Sequence, residues 1–392
     1  MAAERVQPFP FGLNPEQEAR AESLHRESII FDMLAQYAGS ELFAHYPDEL
    51  RTELDRRLAE KTSHAAMLTE AIYWPFELAA RGKSDLIRDW LLSSGITCGV
   101  YSIEDALEEA ADPLSSQWDV RLVRYAQLPW LRYVTTAAEI REAKRDGVVA
   151  MYANFQPTTP LARNADSIEA AHRKGLRSLM LTYNRMDHVG VGCTERVDAG
   201  LSMFGVEVVD HCNELGIMVD VSHCGHLTTL DACRHSRKPV NANHTSARGV
   251  YAHARSKSDE ELKAVAETGG IIGVVAVPHF LSNREHPSME EMLDHIDYIV
   301  NLVGGQHVAL GTDWPWPVPD RVLATALGPA YSARVGFRPE DRIDRTKRLQ
   351  GFRDCRDLRN ITRGLVARGY VDDSIRGILG ENALRVFEEV CG

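Results

Sequence analysis

The sequence predicts an α/β fold, specifically a (β/α)8 TIM-type barrel, from three observations. Eight short apolar runs follow one another along the 392-residue chain, amphipathic stretches separate most of them, and each run ends in a polar residue. Strands that are apolar on both faces and joined by helices are typical of a parallel sheet, and eight such strands close a barrel. A doubly wound open sheet is the alternative, but no Gly-x-Gly-x-x-Gly segment follows the first run.

The polar ends of the eight runs provide the list of candidate site residues. In chain order they are Asp32, Ser102, Gln156, Tyr183, His223, His244, His279 and Asp313. In a parallel barrel the carboxyl ends of all strands meet at one mouth, where the active sites of barrel enzymes lie. We therefore expect these side chains to converge, although they are far apart in sequence.

The segments around the strands read as helices. An N-cap at Asn14 predicts a helix that continues to about Ser28. Residues about 40–92 are charged and helix-like without a strand signal, which predicts a helical insertion after strand 1. C-terminal helices are expected over about 356–392. We expect a single domain over residues 1–392, because one rhythm of strand and helix runs through the chain.

Composition and charge indicate which kind of partner and which cellular compartment to expect. The net charge of -12 disfavours nucleic acid and anionic membrane surfaces as partners, and a small-molecule substrate is expected instead. No apolar run approaches the roughly 20 residues of a membrane span, and the N-terminus lacks the pattern of a signal peptide. The seven cysteines are an odd number without Cys-x-x-Cys spacing, which is typical of buried thiols. A cytoplasmic enzyme is expected.

His223 and His244 end neighbouring predicted strands, close enough for their imidazoles to bind one metal ion. A core role is the alternative for either histidine. Asp313 ends strand 8 before an aromatic loop that begins with Trp314, and it is expected to act as general base or to contact a metal-bound water. Its alternative role is a helix cap. Trp314 is expected to contact the substrate or to pack against the insertion.

His279 is a further candidate at the end of strand 7. If it faces the mouth, it forms a three-histidine cluster with His223 and His244, and three imidazoles can bind zinc without a carboxylate. If it points outward, it lies in the following loop. Both orientations agree with the sequence.

Several segments together resemble a known family. LTYNRMDHVGVGCTERVDAGLSMFG, ELGIMVDVSHCGHLTTLDA, NHTSARGVYAHARSKSDEELKAVAETGG, HVALGTD and GENALRVF occur in the order and spacing of the membrane (renal) dipeptidase family of the amidohydrolase superfamily. The resemblance covers about residues 145–390. It implies a barrel that holds two zinc ions and hydrolyses dipeptides, and it implies a homodimer.

The same resemblance assigns roles to individual residues. His223 and His244 match the family's two histidines for the second metal, and Asp313 matches its catalytic aspartate. Arg255, eleven residues after His244, matches the arginine that binds the substrate carboxylate. Tyr183 stands where many members have a histidine that stabilises the tetrahedral intermediate, and its hydroxyl offers a donor for the same purpose.

The chain departs from the family at its first metal. The family's His-x-Asp pair after strand 1 corresponds to Leu34 and Gln36, and its bridging carboxylate corresponds to Gln156. Two divalent ions a few ångströms apart repel each other unless anionic ligands lie between them. We therefore expect at most one zinc ion, held by His223 and His244 with help from Gln156, Asp313, His279 or water.

Three hypotheses for the function follow. The first is a dipeptidase-like amidohydrolase that cleaves an amide bond in a small molecule bearing a carboxylate, with Gln156 and His279 among its substrate contacts. The second is a metal-independent lyase, isomerase, decarboxylase or cyclase that uses the same mouth for acid and base chemistry. The third is a catalytically silent homologue that only binds its ligand.

Overall fold

Parallel strands close into a barrel, as the sequence predicts. The computed structural model describes residues 8–61, 63–102, 116–158, 161, 164–325 and 328–392. Its strands are β1 (Cys98–Ser102), β2 (Leu131–Tyr133), β3 (Val149–Phe155), β4 (Leu176–Met180), β5 (Met218–Asp220), β6 (Val240–Ala247), β7 (Ser256–Lys257), β8 (Ile271–Val274) and β9 (Val308–Leu310). The sheet runs β1-β3-β4-β5-β6-β8-β9, while β2 pairs with β3 and β7 with β6.

The segment predicted as strand 1 closes this sheet on itself. Phe31 forms a parallel bridge with Cys98 of β1, and Asp32 forms one with Leu310 of β9. The Asp32 N–H donates to the carbonyl of Cys98 at 3.0 Å, and the Met33 N–H donates to that of Leu310 at 2.8 Å. The eight barrel positions are thus this bridge segment and seven strands.

Helices surround the barrel between its strands. They are α1 (Pro15–Glu27), α2 (Asp48–Ala59), α3 (His64–Ala80), α4 (Leu86–Ser94), α5 (Ser116–Tyr125), α6 (Ala137–Asp146), α7 (Asp166–Arg173), α8 (Met203–Leu215), α9 (His226–His235), α10 (Asp259–Glu267), α11 (Pro278–Leu281), α12 (Met289–Val303), α13 (Asp320–Thr325), α14 (Pro329–Arg334), α15 (Leu358–Ala367), α16 (Asp372–Arg376) and α17 (Asn382–Cys391). Asn14 caps α1 through a capping box with Gln17, which agrees with the predicted N-cap.

The predicted insertion after strand 1 is helical and packs beside the mouth. It contains a 3-10 turn (Ser40–His45) and the helices α2, α3 and α4. Arg57 on α2 donates two hydrogen bonds of 3.0 Å to the buried carboxylate of Glu77 on α3. The insertion reaches the barrel where Phe76 meets the ring of Tyr37 edge-on at 6.4 Å, and the Tyr37 hydroxyl donates to the carbonyl of Val100.

The C-terminal helix α17 closes the end of the barrel opposite the mouth. The ring of Phe387 lies 5.9 Å from that of Phe31 and 5.3 Å from that of Tyr152. All three rings are fully buried. Truncating a buried phenylalanine of this kind costs about 3–5 kcal/mol, so α17 is an integral part of the barrel core.

A bulge in β6 shapes the mouth end of the barrel. The pairing of β6 with β8 shifts register between Ala242 and Thr245. The carbonyl oxygen of Asn243 consequently occupies space beside two glycines: a Cβ would lie 1.9 Å from it at Gly273 and 1.7 Å from it at Gly311. Only glycine fits at these two positions, because the neighbouring atom is backbone and cannot rotate away.

One strand ends earlier than predicted. The apolar run that continues to His279 leaves the sheet at Val274, and His279 lies in the one-turn helix α11. The prediction of a strand end at His279 is wrong, because an apolar run cannot distinguish a strand from the buried segment that follows it.

Two further features concern the length of the helices and the state of the cysteines. In the part of the chain that the structure describes, no helix has both the length and the apolar character that crossing a bilayer requires. All seven cysteines lie in that part, and each is a free thiol.

Candidate active site

The structure brings His223 and His244 together at the carboxyl end of the barrel. His223 follows β5 by three residues and His244 lies in β6, next to the bulge. Their ring centroids are 5.0 Å apart. Both residues are buried, and neither ring nitrogen of His244 has a hydrogen-bond partner among the described residues. The two imidazoles therefore face a common space at the mouth.

The buried carboxylate of Asp220 holds together the strand ends that carry His223 and His244. Oδ1 of Asp220 accepts hydrogen bonds from the Ser222 N–H at 2.9 Å, from the Ser222 hydroxyl and from the Asn243 N–H at 3.0 Å. The Ser222 hydroxyl oxygen in turn accepts from the His244 N–H at 3.0 Å. Asp220 thus joins the end of β5 to the bulge of β6. Burial raises its pKa.

Arg255 also links the two segments that carry His223 and His244 through hydrogen bonds. Its Nη1 donates to the carbonyl of Ser222, and its Nη2 donates to the carbonyl of His244 at 2.8 Å. The guanidinium carbon lies 5.5 Å from the ring centre of Phe280, and Nε has no partner among the described residues. The binding of a substrate carboxylate by Arg255 stays a prediction, and in this structure both terminal nitrogens contact main-chain oxygens.

Asn184 and Tyr183 orient His223 from the segment after β4. Nδ1 of His223 donates to Oδ1 of Asn184 at 2.6 Å. The orientation of this amide is set by its Nδ2, which donates to the carbonyl of Val335 at 2.9 Å. The Tyr183 ring stacks on the His223 ring with centroids 4.1 Å apart and an interplanar angle of 17°. His223 therefore carries its proton on Nδ1, and Nε2 is its acceptor.

Asp313 lies after β9 in a conformation that few side chains tolerate. Its φ is 49°, in the left-handed region, and its N–H donates to the carbonyl of Leu34 at 2.8 Å. Oδ1 accepts a hydrogen bond of 2.9 Å from Nε2 of Gln36. Aspartate tolerates this region better than most residues, and such outliers concentrate at functional sites. Asp313 thus lies just beyond the carboxyl end of β9, and its role as general base stays a prediction.

Burial governs the protonation states of these groups. It is the main cause that lowers the pKa of His223 and that of His244 well below the usual value, with the charge of Arg255 acting in the same direction. Both rings are therefore neutral near pH 7. Burial raises the pKa of Asp313 to about 6, against the opposing effects of the Gln36 hydrogen bond and the charge of Arg255. It also raises the pKa of Tyr183, which keeps the hydroxyl protonated.

The remaining predicted residues occupy different positions. Gln156 directly follows β3 and is half-buried. Trp314 is only 2% exposed, and its ring meets that of His279 edge-on at 6.4 Å. His279 is buried in α11 against Phe280, with ring centroids 4.7 Å apart. Gln156 is thus placed at the rim, whereas Trp314 and His279 are packed side chains.

The donor set does not fit a pair of metal ions. Among the residues that the structure describes, no three His, Cys, Asp or Glu side chains are grouped closely enough to hold a metal. Of the two orientations left open for His279, the structure has it in α11, outside the sheet, and not grouped with His223 and His244. Where a metal pair would need carboxylates, Gln36 and Gln156 offer neutral amides, and Gln36 hydrogen bonds to Asp313 instead.

The sequence did not identify two residues at the mouth, Asn184 and Arg345. Asn184 directly follows Tyr183, and its position next to the polar end of the fourth run is the signal that could have identified it. Arg345 comes from a charged loop without a motif, and only the tertiary structure places it near Asp313 and Tyr183, whose pKa values respond to its charge.

Comparisons with known proteins agree with this architecture. An uncharacterized protein encoded in the pqqA 5' region of Klebsiella pneumoniae is 28% identical over 194 residues, which cover 47% of this chain and 72% of that protein. An amidohydrolase from Pseudomonas aeruginosa has a crystal structure with a TM-score of 0.72, at 24% identity over 95% of this chain and 99% of that one.

A second solved structure is a metallo peptidase from Rhodobacter sphaeroides, determined with a phosphinate mimic of the dipeptide L-Ala-D-Ala. Its TM-score is 0.65, at 20% identity over 93% of this chain and 100% of that one. At these identities the two structures support the barrel fold alone. The model of the membrane dipeptidase family, peptidase family M19, matches residues 19–319. This chain therefore belongs to the membrane dipeptidase family and is a hydrolase.

Proposed function

We propose that this protein hydrolyses the amide bond of a small, peptide-like molecule that bears a carboxylate. The family supports peptide-like amide hydrolysis, and the relative from Rhodobacter sphaeroides binds a dipeptide mimic. The observation that carries the proposal is the position of Asp313 at the mouth with a pKa of about 6. A carboxylate with this pKa is ionised at neutral pH and remains a competent proton acceptor.

In the proposed reaction Asp313 accepts a proton from water as that water attacks the amide carbonyl carbon. The Tyr183 hydroxyl donates a hydrogen bond to the oxyanion that develops on the carbonyl oxygen. As the C–N bond breaks, Asp313 returns the proton to the leaving amine. The neutral rings of His223 and His244 orient the water or the carbonyl group, and Gln156 at the rim offers an amide to the substrate.

The two imidazoles of His223 and His244 fall short of the three protein ligands of a usual catalytic zinc site. The structurally similar protein from Rhodobacter sphaeroides is a metallo peptidase. We propose that this chain holds at most one zinc ion, on His223 and His244. We also propose that the protein is a homodimer in the cytoplasm. Size-exclusion chromatography with light scattering tests the dimer, and cell fractionation tests the compartment.

One observation favours a second candidate, an acid–base enzyme without metal that acts on a carboxylate metabolite. The carboxylate of Asp313 accepts a hydrogen bond from the neutral amide of Gln36, so an uncharged group of this chain favours its ionised form. A lyase or isomerase needs this arrangement as much as a hydrolase does.

The test compares wild type, Asp313→Asn and the exposed-site control Glu22→Gln on a panel of dipeptides. Wild type and the control should release free amino acids at equal rates, and Asp313→Asn should be slower by about 10²–10⁴-fold. Hydrolysis that survives in Asp313→Asn contradicts the role of this residue. If wild type cleaves no dipeptide yet converts a carboxylate metabolite without taking up water, the second candidate replaces the first.

A further inference from the structure

Asp32 is a residue that the proposed reaction leaves without a role. The sequence singles it out as the polar end of the first apolar run, and the structure encloses it, with only 2% of its surface exposed. It stands in the bridge segment that closes the barrel, where it forms a parallel bridge with Leu310 of β9. Because a carboxylate is costly to bury unless hydrogen-bond donors surround it, the donors around Asp32 indicate what it does.

Two backbone N–H groups and one hydroxyl donate to the carboxylate of Asp32. Oδ1 accepts from the N–H of Leu34 at 3.1 Å and from the N–H of Thr312 at 2.9 Å. Oδ2 accepts from the hydroxyl of Thr312 at 2.6 Å. Thr312 follows β9 and directly precedes Asp313. The carboxylate of Asp32 therefore links the end of the bridge segment to the segment that carries Asp313.

The hydrogen bonds continue from this carboxylate to the backbone of Asp313. The carbonyl of Leu34, whose N–H donates to Asp32, accepts from the N–H of Asp313 at 2.8 Å. The carbonyl of Thr312 accepts from the N–H of Ala276, beyond β8, at 2.8 Å. The carbonyl and the N–H of the peptide group between Thr312 and Asp313 are thus both bonded. Asp32 holds Leu34 and Thr312 where these bonds require them.

Asp313 needs such support because of its backbone conformation. Its φ of 49° lies in the left-handed region, which residues other than glycine adopt rarely and keep only where the surrounding structure holds them. Burial is the main cause that raises the pKa of Asp313 to about 6, and the charge of Asp32 acts in the same direction, which agrees with a short distance between the two carboxylates. Asp32 is thus well placed to hold Asp313 in this conformation.

We propose that Asp32 is a positioning residue for Asp313: by binding Leu34 and Thr312 it keeps Asp313 in the left-handed conformation, where its carboxylate meets Gln36. The inference rests on the proposed function only for the role of Asp313 as base, because the backbone of Asp313 can be observed without a substrate. The alternative is that Asp32 stabilises the barrel as a whole. In that case its loss would weaken the strands of the barrel alike.

Amide hydrogen exchange, followed by NMR, tests the positioning without a substrate. Asp32→Ala removes the acceptor of three hydrogen bonds, and Thr312→Val removes only the hydroxyl that donates to it. Exchange of the Asp313 N–H relative to the N–H groups of β3 should rise about 10-fold in Asp32→Ala and about 3-fold in Thr312→Val, because Leu34 and Thr312 are then held less firmly. Thr312→Val decides alone if Asp32→Ala does not fold.

The matched control is Thr97→Val, at the opposite end of the barrel. Thr97 is also a buried threonine beside the bridge segment, and its hydroxyl oxygen accepts from the N–H of Ile30 at 3.1 Å. This variant should leave exchange of the Asp313 N–H unchanged relative to β3. Exchange at Asp313 that stays as slow as in wild type when the contacts of Asp32 are removed, or that rises only in parallel with β3, overturns the inference.

Steady-state kinetics on a dipeptide that wild type cleaves test the consequence for the base. Asp32→Ala should lower kcat by about 100-fold and change KM by less than about 3-fold, because the substrate contacts remain while the base is displaced. Asp32→Asn keeps Oδ1 as acceptor of both N–H groups and should recover kcat to within about 10-fold of wild type. Equal losses of kcat in the two variants, or a change in KM alone, overturn the inference. If wild type cleaves no dipeptide while exchange at Asp313 depends on Asp32, the proposed function fails and the positioning stands.

Discussion

The side-chain amide of Gln36 donates a hydrogen bond to Oδ1 of Asp313 at 2.9 Å. This hydrogen bond stabilises the ionised form of Asp313 and lowers its pKa, against the larger effect of burial. The amide of Gln36 thus favours the ionised form of the Asp313 carboxylate.

Removing this hydrogen bond should shift the pH dependence of the reaction. In Gln36→Leu the pKa of Asp313 should rise above about 6, because the interaction that favours the ionised form is lost. The acidic limb of the kcat/KM profile, which reports the free enzyme, should therefore move to higher pH by about one unit. Gln156→Leu, the other amide of the mouth, serves as control and should leave the limb in place. An unmoved limb in Gln36→Leu contradicts Asp313 as the base.

Asp313 should also limit stability at neutral and alkaline pH. Its pKa of about 6 in the folded protein lies above the ordinary value of 3.8, so its ionisation opposes folding increasingly as the pH rises through 6. Asp313→Asn should therefore raise the free energy of unfolding at pH 8 by up to about 3 kcal/mol, with little gain at pH 4. Urea denaturation at both pH values measures this, with Glu22→Gln as control. A gain of equal size at both pH values would show that titration is not its cause.

The hydrogen bond from His223 to Asn184 predicts a single tautomer. Nitrogen-15 chemical shifts should show a neutral His223 ring protonated at Nδ1. Asn184→Leu should abolish this preference and reduce kcat by about 10-fold, as the loss of a group that orients a catalytic histidine commonly does. Asn184→Asp keeps the acceptor and should keep the tautomer. A His223 protonated at Nε2 in wild type would refute the assigned orientation.

The bulge of β6 should tolerate no side chain at its two neighbouring glycines. Gly311→Ala and Gly273→Ala each place a methyl group within 2 Å of the Asn243 carbonyl oxygen, so the strand that carries His244 must move. Each change should cost about 3 kcal/mol or more. Gly305→Ala, whose new Cβ would lie 4.0 Å from its nearest neighbour, is the control and should be nearly neutral. Wild-type melting temperatures for both bulge variants would contradict the close approach.

The sequence predicted the barrel and the convergence of its strand ends because both follow from local pattern. Apolar runs of strand length, each followed by a polar residue, specify where a parallel strand stops, and this located His223, His244 and Asp313. The same rule failed at His279, where buried residues continue past the end of the sheet. Burial alone does not mark the point at which hydrogen bonding to the neighbouring strand ends.

Other features of the mouth depend on contacts between distant segments. Arg345 lies near Asp313 and Tyr183 only because of the tertiary fold, and the loop that carries it has no periodicity that predicts this position. The bond between Gln36 and Asp313 joins residues 277 positions apart. The resemblance implies that Gln36 stands in the place of a metal ligand, but only the structure shows that Gln36 contacts the carboxylate of Asp313.

The metal content of the active enzyme tests most directly whether this mouth works without a metal pair. Protein purified without added metal or chelator should be analysed by inductively coupled plasma mass spectrometry, with hydrolytic activity measured on the same sample. The arrangement of Gln36, Gln156 and the two histidines predicts at most one zinc per chain in fully active protein. Two tightly bound metal ions per chain, lost together with activity on chelation and restored with it, would contradict the account.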